Sequence, residues 1–246
     1  MSGFDATLGK DVLRGFILLV KSFPAGPWQT NCYVIAGEIG SECLIIDPGQ
    51  GAINQVKSTL EEFRLKPVAV LVTHGHLDHM WSVFPIANGY DIPALIHGED
   101  RFLLSDPLEG VSEQTKNAMP MLLDSEDVFA EPSQVIEVSN SSEIEIAGLN
   151  FVVRHAPGHT AGSVLFDFSG SDRNIFTGDV LFAGAIGRTD LPGGSPEAMN
   201  LSLQNIILPL PDDAQIFPGH GPSSTMTIER ATNPYLRRIA QGLKAT

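Results

Sequence analysis

Four side chains that commonly bind metal ions stand close together in the segment Thr73–His79. They are His74, His76, Asp78 and His79, with the spacing His-x-His-x-Asp-His. The segment follows a buried strand predicted over Val68–Val72, and side chains two residues apart in an extended chain project to the same side. We therefore expect His74 and His76 to face one ion. A turn into a predicted helix would then aim Asp78 and His79 at a second point nearby.

Four further candidate ligands occupy the same kind of position, just past the end of a predicted strand. They are Asp47, His159, Asp179 and His220, which follow the runs Cys43–Ile46, Phe151–Val153, Asn174–Phe176 and Gln215–Phe217. In α/β sheets, the carboxyl ends of strands form the edge where ligands bind, because rigid strands hold loops that converge there. Five strand ends that carry His or Asp therefore predict a single site. Five of the seven histidines of the chain belong to it.

The number of candidate ligands indicates two metal ions. A catalytic zinc ion takes three protein ligands and a water molecule, and seven ligands are too many for one such ion. We assign His74, His76 and His159 to the first ion, Asp78, His79 and His220 to the second, and Asp179 to a bridge between them. Asp47 is then free to lie behind the ligands and accept the N–H of a coordinating imidazole. Imidazole and carboxylate ligands suit two divalent ions, with zinc expected first and iron or manganese as alternatives.

The other candidate side chains have simpler interpretations. Cys32 and Cys43 lie inside apolar runs, where reduced and buried thiols are the commoner finding, and we count neither as a ligand or a nucleophile. His97 and His155 also end strand-like runs but fall outside the pattern, and we interpret them as ordinary polar residues.

Composition limits the classes of protein to which the chain can belong. Its 246 residues are 43% hydrophobic and only 18% charged, which excludes disorder and coiled coil. The formal net charge of −14 disfavours nucleic acid as a partner, because such a surface repels phosphate backbones. No apolar run approaches the roughly 20 residues that span a bilayer. We expect a soluble, cytoplasmic protein with a small-molecule substrate and no membrane partner, and the sequence does not indicate its oligomeric state.

Short β-branched runs alternate with helical patterns, which predicts an α/β fold. The remaining predicted strands are Phe16–Val20, Cys32–Ala36, Ala94–Ile96 and Val164–Phe168, and the predicted helices are Asn54–Phe63, Leu77–Ala87, Ser195–Leu208 with Ser195 as N-cap, and Thr227–Leu243 with an interruption at Pro234. We interpret the polar stretch Asp124–Ser142 as a solvated connection. Residues 16–246 are expected to form one domain, preceded by a variable extension at residues 1–15.

The ordered motifs resemble those of the metallo-β-lactamase superfamily, and most closely its glyoxalase II-like branch. The motifs are Asp47, Thr73–His79, Pro157–Thr160, Thr177–Asp179 and Pro218–Gly221, with Thr30–Tyr33 on an early strand. The resemblance implies an αββα sandwich, in which two mixed sheets are flanked by helices and the metal ions lie at one edge. In place of the Cys ligand of some zinc β-lactamases, this chain has Asp179.

The resemblance also implies an activity. Glyoxalase II enzymes hydrolyse the thioester S-lactoylglutathione, which predicts a binuclear metal-dependent thioesterase that uses metal-activated hydroxide. Asp78 would then be catalytic as well as a ligand, and Arg188 would bind an anionic end of the substrate. Only residues 221–246 follow His220, so we expect the helical glutathione-binding domain of glyoxalase II to be missing or cut to one helix, and another thiol carrier stays open. A mononuclear-iron persulfide dioxygenase and a lactonase are the alternatives.

Overall fold

The computed structural model describes residues 18–123, 127–168 and 173–245, so the expected extension at residues 1–15 lies outside them. Within these ranges the first half of the chain forms a six-stranded sheet in which the strands follow one another in chain order. They are β1 (Leu19–Ala25), β2 (Thr30–Ala36), β3 (Glu42–Ile46), β4 (Lys66–Leu71), β5 (Ala94–His97) and β6 (Val135–Val138). Strands β1 to β3 pair antiparallel and β3 to β6 pair parallel, so this first sheet is mixed.

The second half of the chain forms another mixed sheet and a small hairpin. Its strands are β7 (Glu143–Ile146), β8 (Leu149–His155), β9 (Val164–Phe168), β10 (Asn174–Gly178), β11 (Leu181–Phe182), β12 (Ala185–Ile186), β13 (Gln215–Pro218) and β14 (Ser224–Thr225). The second sheet has the order β14-β13-β10-β9-β8-β7, while β11 and β12 pair only with each other. The pair β10–β13 is parallel and the other neighbours are antiparallel.

Helices cover the outer faces of the two sheets. They are α1 (Ala52–Phe63), α2 (Leu77–Met80), α3 (Val83–Tyr90), α4 (Glu113–Leu122), α5 (Pro196–Ser202), α6 (Met226–Thr232) and α7 (Pro234–Ala240). Short 3₁₀ segments occupy Gly98–Leu104 and Pro107–Gly110, and a π turn at Leu203–Ile207 continues α5. The Ser195 hydroxyl accepts the N–H of Ala198 at the start of α5, as an N-cap should.

Alternation along the strands creates the layers. On β2, Tyr33 and Ile35 face the second sheet, where they join the phenylalanines Phe151 and Phe166 in a core between the sheets. The alternate residue Val34 faces outward into a core shared with α1 and α3, and a third core packs α5 and α7 on the outside of the second sheet. Because side chains on a strand alternate between faces, fully buried strands pack on both sides. The expected αββα sandwich is therefore observed.

Two predictions about elements are wrong in part. The predicted helix Leu77–Ala87 is two helices, α2 and α3, because the chain turns at Trp81 and Ser82, where the Ser82 hydroxyl donates to the carbonyl of Gly49. The stretch Asp124–Ser142 is not only a connection, because it contains β6, which pairs with β5. Residues 124–126 of that stretch lie outside the described part of the chain.

Some strands differ only in their ends from the prediction. The strand predicted at Phe16–Val20 corresponds to β1, which spans Leu19–Ala25. Residues 16 and 17 of the predicted strand lie outside the described ranges. The C-terminal helical pattern divides at Pro234 as expected, into α6 and α7. Among the helices that the structure describes, none combines the length and apolar character that a membrane crossing requires.

Candidate metal centre

The predicted site residues meet at one edge of the sandwich. Strands β3 and β4 of the first sheet and β8, β10 and β13 of the second all direct their carboxyl ends there. Backbone hydrogen bonds join the loops across the two sheets, from Val164 N to the carbonyl of Thr73 (2.9 Å) and from Asn31 N to that of Gly219 (2.7 Å). The strand ends therefore form a connected rim on which the candidate ligands are mounted.

The first cluster consists of His74, His76 and His159. One nitrogen of each imidazole lies within 4.8 Å of the others, and all three residues are buried. The Nδ1 atom of His76 is 2.8 Å from Nε2 of His159. This grouping is the one that we assigned to a first ion from the sequence.

The second cluster consists of Asp78, His79 and His220. Oδ2 of Asp78 lies 3.5 Å from Nε2 of His79 and 3.2 Å from Nε2 of His220, and the two nitrogens are 3.3 Å apart. Ligands bound at 2.0–2.1 Å around a tetrahedral zinc ion are separated by about 3.3–3.4 Å. The spacing of the second cluster therefore matches the edges of such a coordination sphere.

Asp179 lies between the two clusters. Its Oδ2 is 3.4 Å from Nε2 of His159 and 3.5 Å from Nε2 of His220, and its Oδ1 is 3.3 Å from Nε2 of His79. One carboxylate therefore contacts a histidine of the first cluster and two of the second. That position suits a bridging ligand.

Hydrogen bonds behind the imidazoles fix which ring nitrogen faces the centre. Nδ1 of His159 is 2.7 Å from the carbonyl oxygen of Arg188, and Nδ1 of His220 is 3.1 Å from that of Trp28. A carbonyl oxygen only accepts, so each Nδ1 must carry the proton. In both rings Nε2 is therefore the nitrogen that faces the centre.

Asp47 does the same for two further histidines, for His79 directly and for His74 through Thr73. Its Oδ2 is 2.9 Å from Nδ1 of His79 and accepts the hydroxyl of Thr73 at 2.6 Å. Because that hydroxyl proton is committed to Asp47, Nδ1 of His74, at 3.1 Å from the Thr73 oxygen, must be the donor to Thr73. Asp47 adopts a left-handed backbone conformation (φ 48°) that Asp tolerates better than most residues, and this turns its carboxylate under the site.

Several buried polar atoms of the site residues have no hydrogen-bond partner among the residues that the structure describes. Nε2 of His74, Nε2 of His76 and Oδ1 of Asp179 are buried and make no hydrogen bond in the described part of the chain. Unsatisfied buried polar atoms are costly and call for an explanation. The unpartnered lone pairs of His74 and Asp179 fit a bound cation, and in His76 it is Nδ1, 2.8 Å from Nε2 of His159, that faces the first cluster. The residues present therefore suit a pair of divalent metal ions.

The electrostatics of the centre also favour bound positive charge. Burial opposes the protonation of His79, but Asp179, Asp78 and Asp47 outweigh it and raise the pKa of His79 well above its ordinary value. Burial likewise opposes the charge of Asp179, yet the neighbouring His79 and His220 hold the pKa of that carboxyl well below its usual range. Both pKa shifts therefore indicate that the carboxylates favour a positive charge beside them.

The two clusters differ in charge. Burial, together with the nearby His159, lowers the pKa of His76 to about 3. For His220, hydrogen bonds to Asp179 and Asp78 overcome partial burial and raise the pKa to about 9. In the first cluster, His76 is thus held neutral, as a ligand must be, whereas the second cluster is richer in carboxylate charge.

The early strand β2 supports the second cluster. The Thr30 hydroxyl donates to Oδ2 of Asp78 at 2.8 Å, and the Tyr33 hydroxyl donates to the carbonyl of Pro218 at 2.6 Å. The amide of Asn31 donates to Pro218 and Gly221 on either side of His220. The sequence motif Thr30–Tyr33 therefore holds the loop that carries His220.

Close backbone packing explains two glycines beside the ligands. A Cβ atom on Gly219 would overlap Oδ1 of Asp179, and one on Gly187 would overlap the Asp179 carbonyl oxygen and lie 2.9 Å from Nδ1 of His159. Neither position has room for a side chain. The Gly residues in the motifs around His220 and Arg188 thus allow the loops to approach the ligands closely.

A pocket of about 190 Å³ opens onto both clusters. Its apolar walls are formed by Trp28, Leu77, Val111 and Leu191, and its polar walls include Ser112 and Thr115. The volume is below the roughly 300–1,000 Å³ of pockets for drug-sized ligands. The pocket therefore has room for only a small chemical group of a ligand.

Arg188 lines the pocket, but its side chain has a partner. The guanidinium pairs with both carboxylate oxygens of Asp190, each at 2.7 Å, and the Arg188 side chain is 59% exposed. Its carbonyl oxygen, which holds His159, was not foreseen from the sequence. Substrate binding by Arg188 stays a prediction.

Sequence reasoning also missed Asp100, whose buried carboxylate accepts hydrogen bonds from Gly75 and Gly162 beside the first cluster. Its position three residues after the end of β5 was the available signal, because the other site residues also follow strand ends. The two histidines that we left outside the site, His97 and His155, stack on each other with ring centroids 4.0 Å apart.

The cysteines are buried as expected. Both Cys32 and Cys43 are free thiols in the core outside the first sheet. Burial raises the pKa of the Cys43 thiol to about 12 and that of Cys32 well above its ordinary value. Thiols of this kind are poor nucleophiles.

Comparison with known proteins identifies relatives over most of the chain. A family model described as the metallo-beta-lactamase superfamily matches residues 25–220. An uncharacterized protein of Mycobacterium tuberculosis is 41% identical over 91% of this chain and 100% of its own length. A protein of Haemophilus influenzae named hydroxyacylglutathione hydrolase GloC is 34% identical over 88% of this chain and 97% of its own length.

Solved structures share the fold. The BLEG-1 B3 metallo-beta-lactamase matches with a TM-score of 0.77 and 34% identity over 89% of this chain and 99% of that chain. The protein TTHA1623, solved in a di-iron-bound form, matches with a TM-score of 0.72 and 32% identity over 88% and 100%. ETHE1 from Myxococcus xanthus matches with a TM-score of 0.70 over 91% and 85%, and at 22% identity that likeness concerns the fold alone.

Proposed function

Because the chain belongs to the metallo-β-lactamase superfamily, we propose that it is a binuclear metal-dependent hydrolase that cleaves short-chain thioesters, as glyoxalase II enzymes do. The observation that carries the proposal is the pair of clusters joined by Asp179 beneath a small pocket. The 34% identity to the GloC protein of H. influenzae supports the thioester class. The two ions are expected to be zinc, and the di-iron form of TTHA1623 supports a pair of ions while keeping iron as an alternative.

Seven residues of the chain would bind the two ions. His74, His76 and His159 would hold one ion, and Asp78, His79 and His220 the other, with Asp179 shared. When bound, two such ions would lower the pKa of a water molecule from 15.7 to about 7 and polarise the carbonyl of a substrate. Asp47, Arg188 and Trp28 would keep the ligating imidazoles in the required tautomer through the hydrogen bonds described above.

Asp78 is proposed to be catalytic as well as a ligand. Burial opposes its charge, but His79 and a hydrogen bond from His220 lower its pKa well below the ordinary value, so it stays ionised. The Thr30 hydroxyl fixes the same carboxylate from behind. An ionised and fixed carboxylate at the floor of the pocket can accept a hydrogen bond from the attacking water and orient it.

The pocket and the leaving group fit a thioester with a small acyl group. Trp28, Leu77 and Val111 would enclose the acyl group, and the hydroxyls of Ser112 and Thr115 offer hydrogen bonds near it. A thiol has a pKa of about 8.5, so a thiolate leaves without a strong protein acid. No histidine needs to be reserved as a proton donor, which agrees with the assignment of five histidines to metal binding.

Hydrolysis by zinc-loaded protein tests the proposal. The panel contains S-lactoylglutathione, an acetyl thioester of a neutral thiol, a lactone and a β-lactam, the last because BLEG-1 is named a B3 metallo-beta-lactamase. We expect release of free thiol from the thioesters, loss of that activity on chelation, and its recovery when zinc is returned. Protein that holds two ions but hydrolyses neither thioester would contradict the thioesterase proposal.

The persulfide dioxygenase alternative has a distinct result. It predicts one stable iron per chain and oxygen uptake with glutathione persulfide. The second cluster supports the hydrolase instead, because His79 and His220 are both present and lie 3.3 Å apart beside Asp78. Oxygen uptake together with a single iron would replace the proposed function with the dioxygenase.

A further inference from the structure

A buried carboxylate lies behind the loops that carry the first cluster. Asp100 belongs to the 3₁₀ segment Gly98–Leu104 that follows β5, and it is 2% exposed. Its Oδ2 accepts the backbone N–H of Gly75 at 2.8 Å and the hydroxyl of Thr160 at 2.6 Å. Its Oδ1 accepts the backbone N–H of Gly162 at 2.7 Å. One side chain thus satisfies three donors.

The three donors come from the two loops that supply the first cluster. Gly75 stands between His74 and His76, and Thr160 follows His159 directly. Asp100 therefore links a loop of the first sheet to a loop of the second at the point where their histidines meet. Asp47, in contrast, contacts the imidazole of His79 directly and reaches His74 through Thr73, so it does not hold the loop of His159.

The packing around Asp100 is tight on both loops. A Cβ atom on Gly162 would lie 2.5 Å from Cγ of Asp100, and one on Gly75 would lie 2.9 Å from its carbonyl oxygen. Both loops have glycine at the point of contact, which lets the backbone approach the carboxylate directly. Charge-assisted hydrogen bonds to backbone N–H groups are about twice as strong as neutral ones, and here they are shielded from water.

We propose that Asp100 is a positioning residue for the first cluster, which holds the loops of His74, His76 and His159 at the separation that one metal ion requires. The inference rests on the metal-binding part of the proposed function and not on the identity of the substrate. It does not involve contact between Asp100 and an ion or a substrate. We expect Asp100 to affect metal binding by the first cluster and not by the second.

Replacement of the carboxylate by an amide should weaken the hydrogen bonds to the two loops without changing the size of the side chain. In Asp100→Asn, one of the two oxygens becomes an NH₂ group, which cannot accept from a backbone N–H. Whichever way the amide is turned, a donor on one of the two loops loses its acceptor. Residues that orient metal ligands typically contribute 10- to 100-fold to metal affinity, so we expect about that loss for the first cluster.

Zinc binding by the full chain, measured by competition with a chromophoric chelator, tests the inference in two backgrounds. The His220→Ala background removes a ligand of the second cluster, so tight binding reports mainly on the first. The His76→Ala background does the reverse. Asp100→Asn is expected to weaken zinc binding about 10- to 100-fold in the first background and less than about 3-fold in the second.

A control and a second variant keep the result interpretable. Asp167→Asn alters another buried carboxylate, which pairs with Arg154 on the second sheet, and it should leave zinc affinity unchanged in both backgrounds. Thr160→Val removes only one of the three hydrogen bonds to Asp100 and should give a smaller loss, again confined to the first cluster. The unfolding midpoint of each metal-free variant separates lost metal affinity from lost stability.

Equal losses in the two backgrounds, or a lower unfolding midpoint with unchanged zinc affinity, would overturn the positioning role of Asp100. Wild-type chain that binds no zinc would overturn both this inference and the proposed function. Wild-type chain that binds two ions and hydrolyses thioesters, while Asp100→Asn retains full affinity in the His220→Ala background, would overturn the inference alone.

Discussion

His74 illustrates how one residue connects sequence, geometry and chemistry. It is buried, its Nδ1 atom donates to Thr73, and its Nε2 atom has no hydrogen-bond partner in the described part of the chain. One of its ring nitrogens lies within 4.8 Å of ligand atoms of His79 and Asp179. It also belongs to the first cluster. An imidazole in this position has no evident structural use unless it binds an ion.

His74→Ala is therefore expected to lose bound metal and activity while the fold is retained. We expect metal content to fall from two ions to one or fewer, and thioester hydrolysis to fall at least about 100-fold, the upper end of what even an indirect contact to a ligand contributes. Elemental analysis and circular dichroism measure the two effects. His97→Asn is a matched control, because asparagine can still accept from the N–H of Glu99. Normal turnover by His74→Ala would disprove the assignment of His74 as a metal ligand.

Arg188 allows a test that separates the side chain from the backbone. Arg188→Ala removes the guanidinium but keeps the carbonyl that holds His159, so metal content should not change. Because the side chain is 59% exposed, its interaction with an anionic thioester is expected to contribute no more than about 1 kcal/mol, a 2- to 5-fold rise in KM. A thioester of a neutral thiol should show no such rise. The same change in KM for both substrates would contradict the binding role.

The types of the candidate ligands could be predicted from sequence, but much of what orients them could not. The spacing of His74, His76, Asp78 and His79 is a local pattern, and local patterns are readable. The carbonyl oxygens of Trp28 and Arg188 belong to the backbone, so their contacts with the histidines cannot be predicted from the residue type. Long-range contacts of that kind appear only once the fold brings the segments together.

At the scale of elements, the loops beside the ligands are more constrained than the strands. The loop that follows β12 passes so close to Asp179 and His159 that Gly187 has no space for a Cβ atom. The strands, in contrast, need only β-branched and aromatic side chains on both faces. Variation should therefore be least tolerated in these loops.

Gly187→Ala is expected to push this loop away and displace the Arg188 carbonyl from His159. We expect about 10-fold weaker zinc binding, the lower end of the effect of losing a contact behind a ligand. Gly89→Ala is the matched control, since a Cβ there meets no atom within 4 Å and the residue lies in α3. That control should be neutral or stabilising by about 0.5–1 kcal/mol. Unchanged zinc affinity in Gly187→Ala would show that the loop can accommodate the added methyl group, which would contradict the predicted displacement of the Arg188 carbonyl.

The elements missed from sequence share a physical cause. Strands β6 and β7 are edge strands with exposed charged residues, such as Glu137, Glu143 and Glu145, so they lack the apolar runs that identified the buried strands. The short helix α4 contains Pro120 and buries little besides Met119. Pairing and packing with the rest of the fold define these elements, and neither is visible in a local window.

For the whole molecule, three apolar cores support the fold and the metal centre occupies one edge. The core between the sheets contains fully buried Phe151, Phe166 and Phe176, and it does not depend on the site. The centre, in contrast, concentrates carboxylates and imidazoles in a buried space, which is costly without a cation. Metal binding should therefore add to stability without being needed for folding.

Chelation is expected to lower the unfolding midpoint and leave a folded chain. An ion at a free concentration about 1,000 times its Kd stabilises the native state by about 4 kcal/mol. For a chain of this size, a change of 1 kcal/mol shifts the midpoint by about 2–4 °C, so the loss of one such ion should lower it by about 8–16 °C. Calorimetry with and without a chelator measures the shift. A midpoint that does not respond to metal would contradict a buried metal centre.

The number of metal ions per chain tests the binuclear centre most directly. After the metal-free protein is dialysed against excess zinc and the unbound metal is removed, elemental analysis should find two ions per chain, and His74→Ala should retain one or fewer. One ion or none in the wild-type chain, or two ions in His74→Ala, would contradict the assignment of the two clusters.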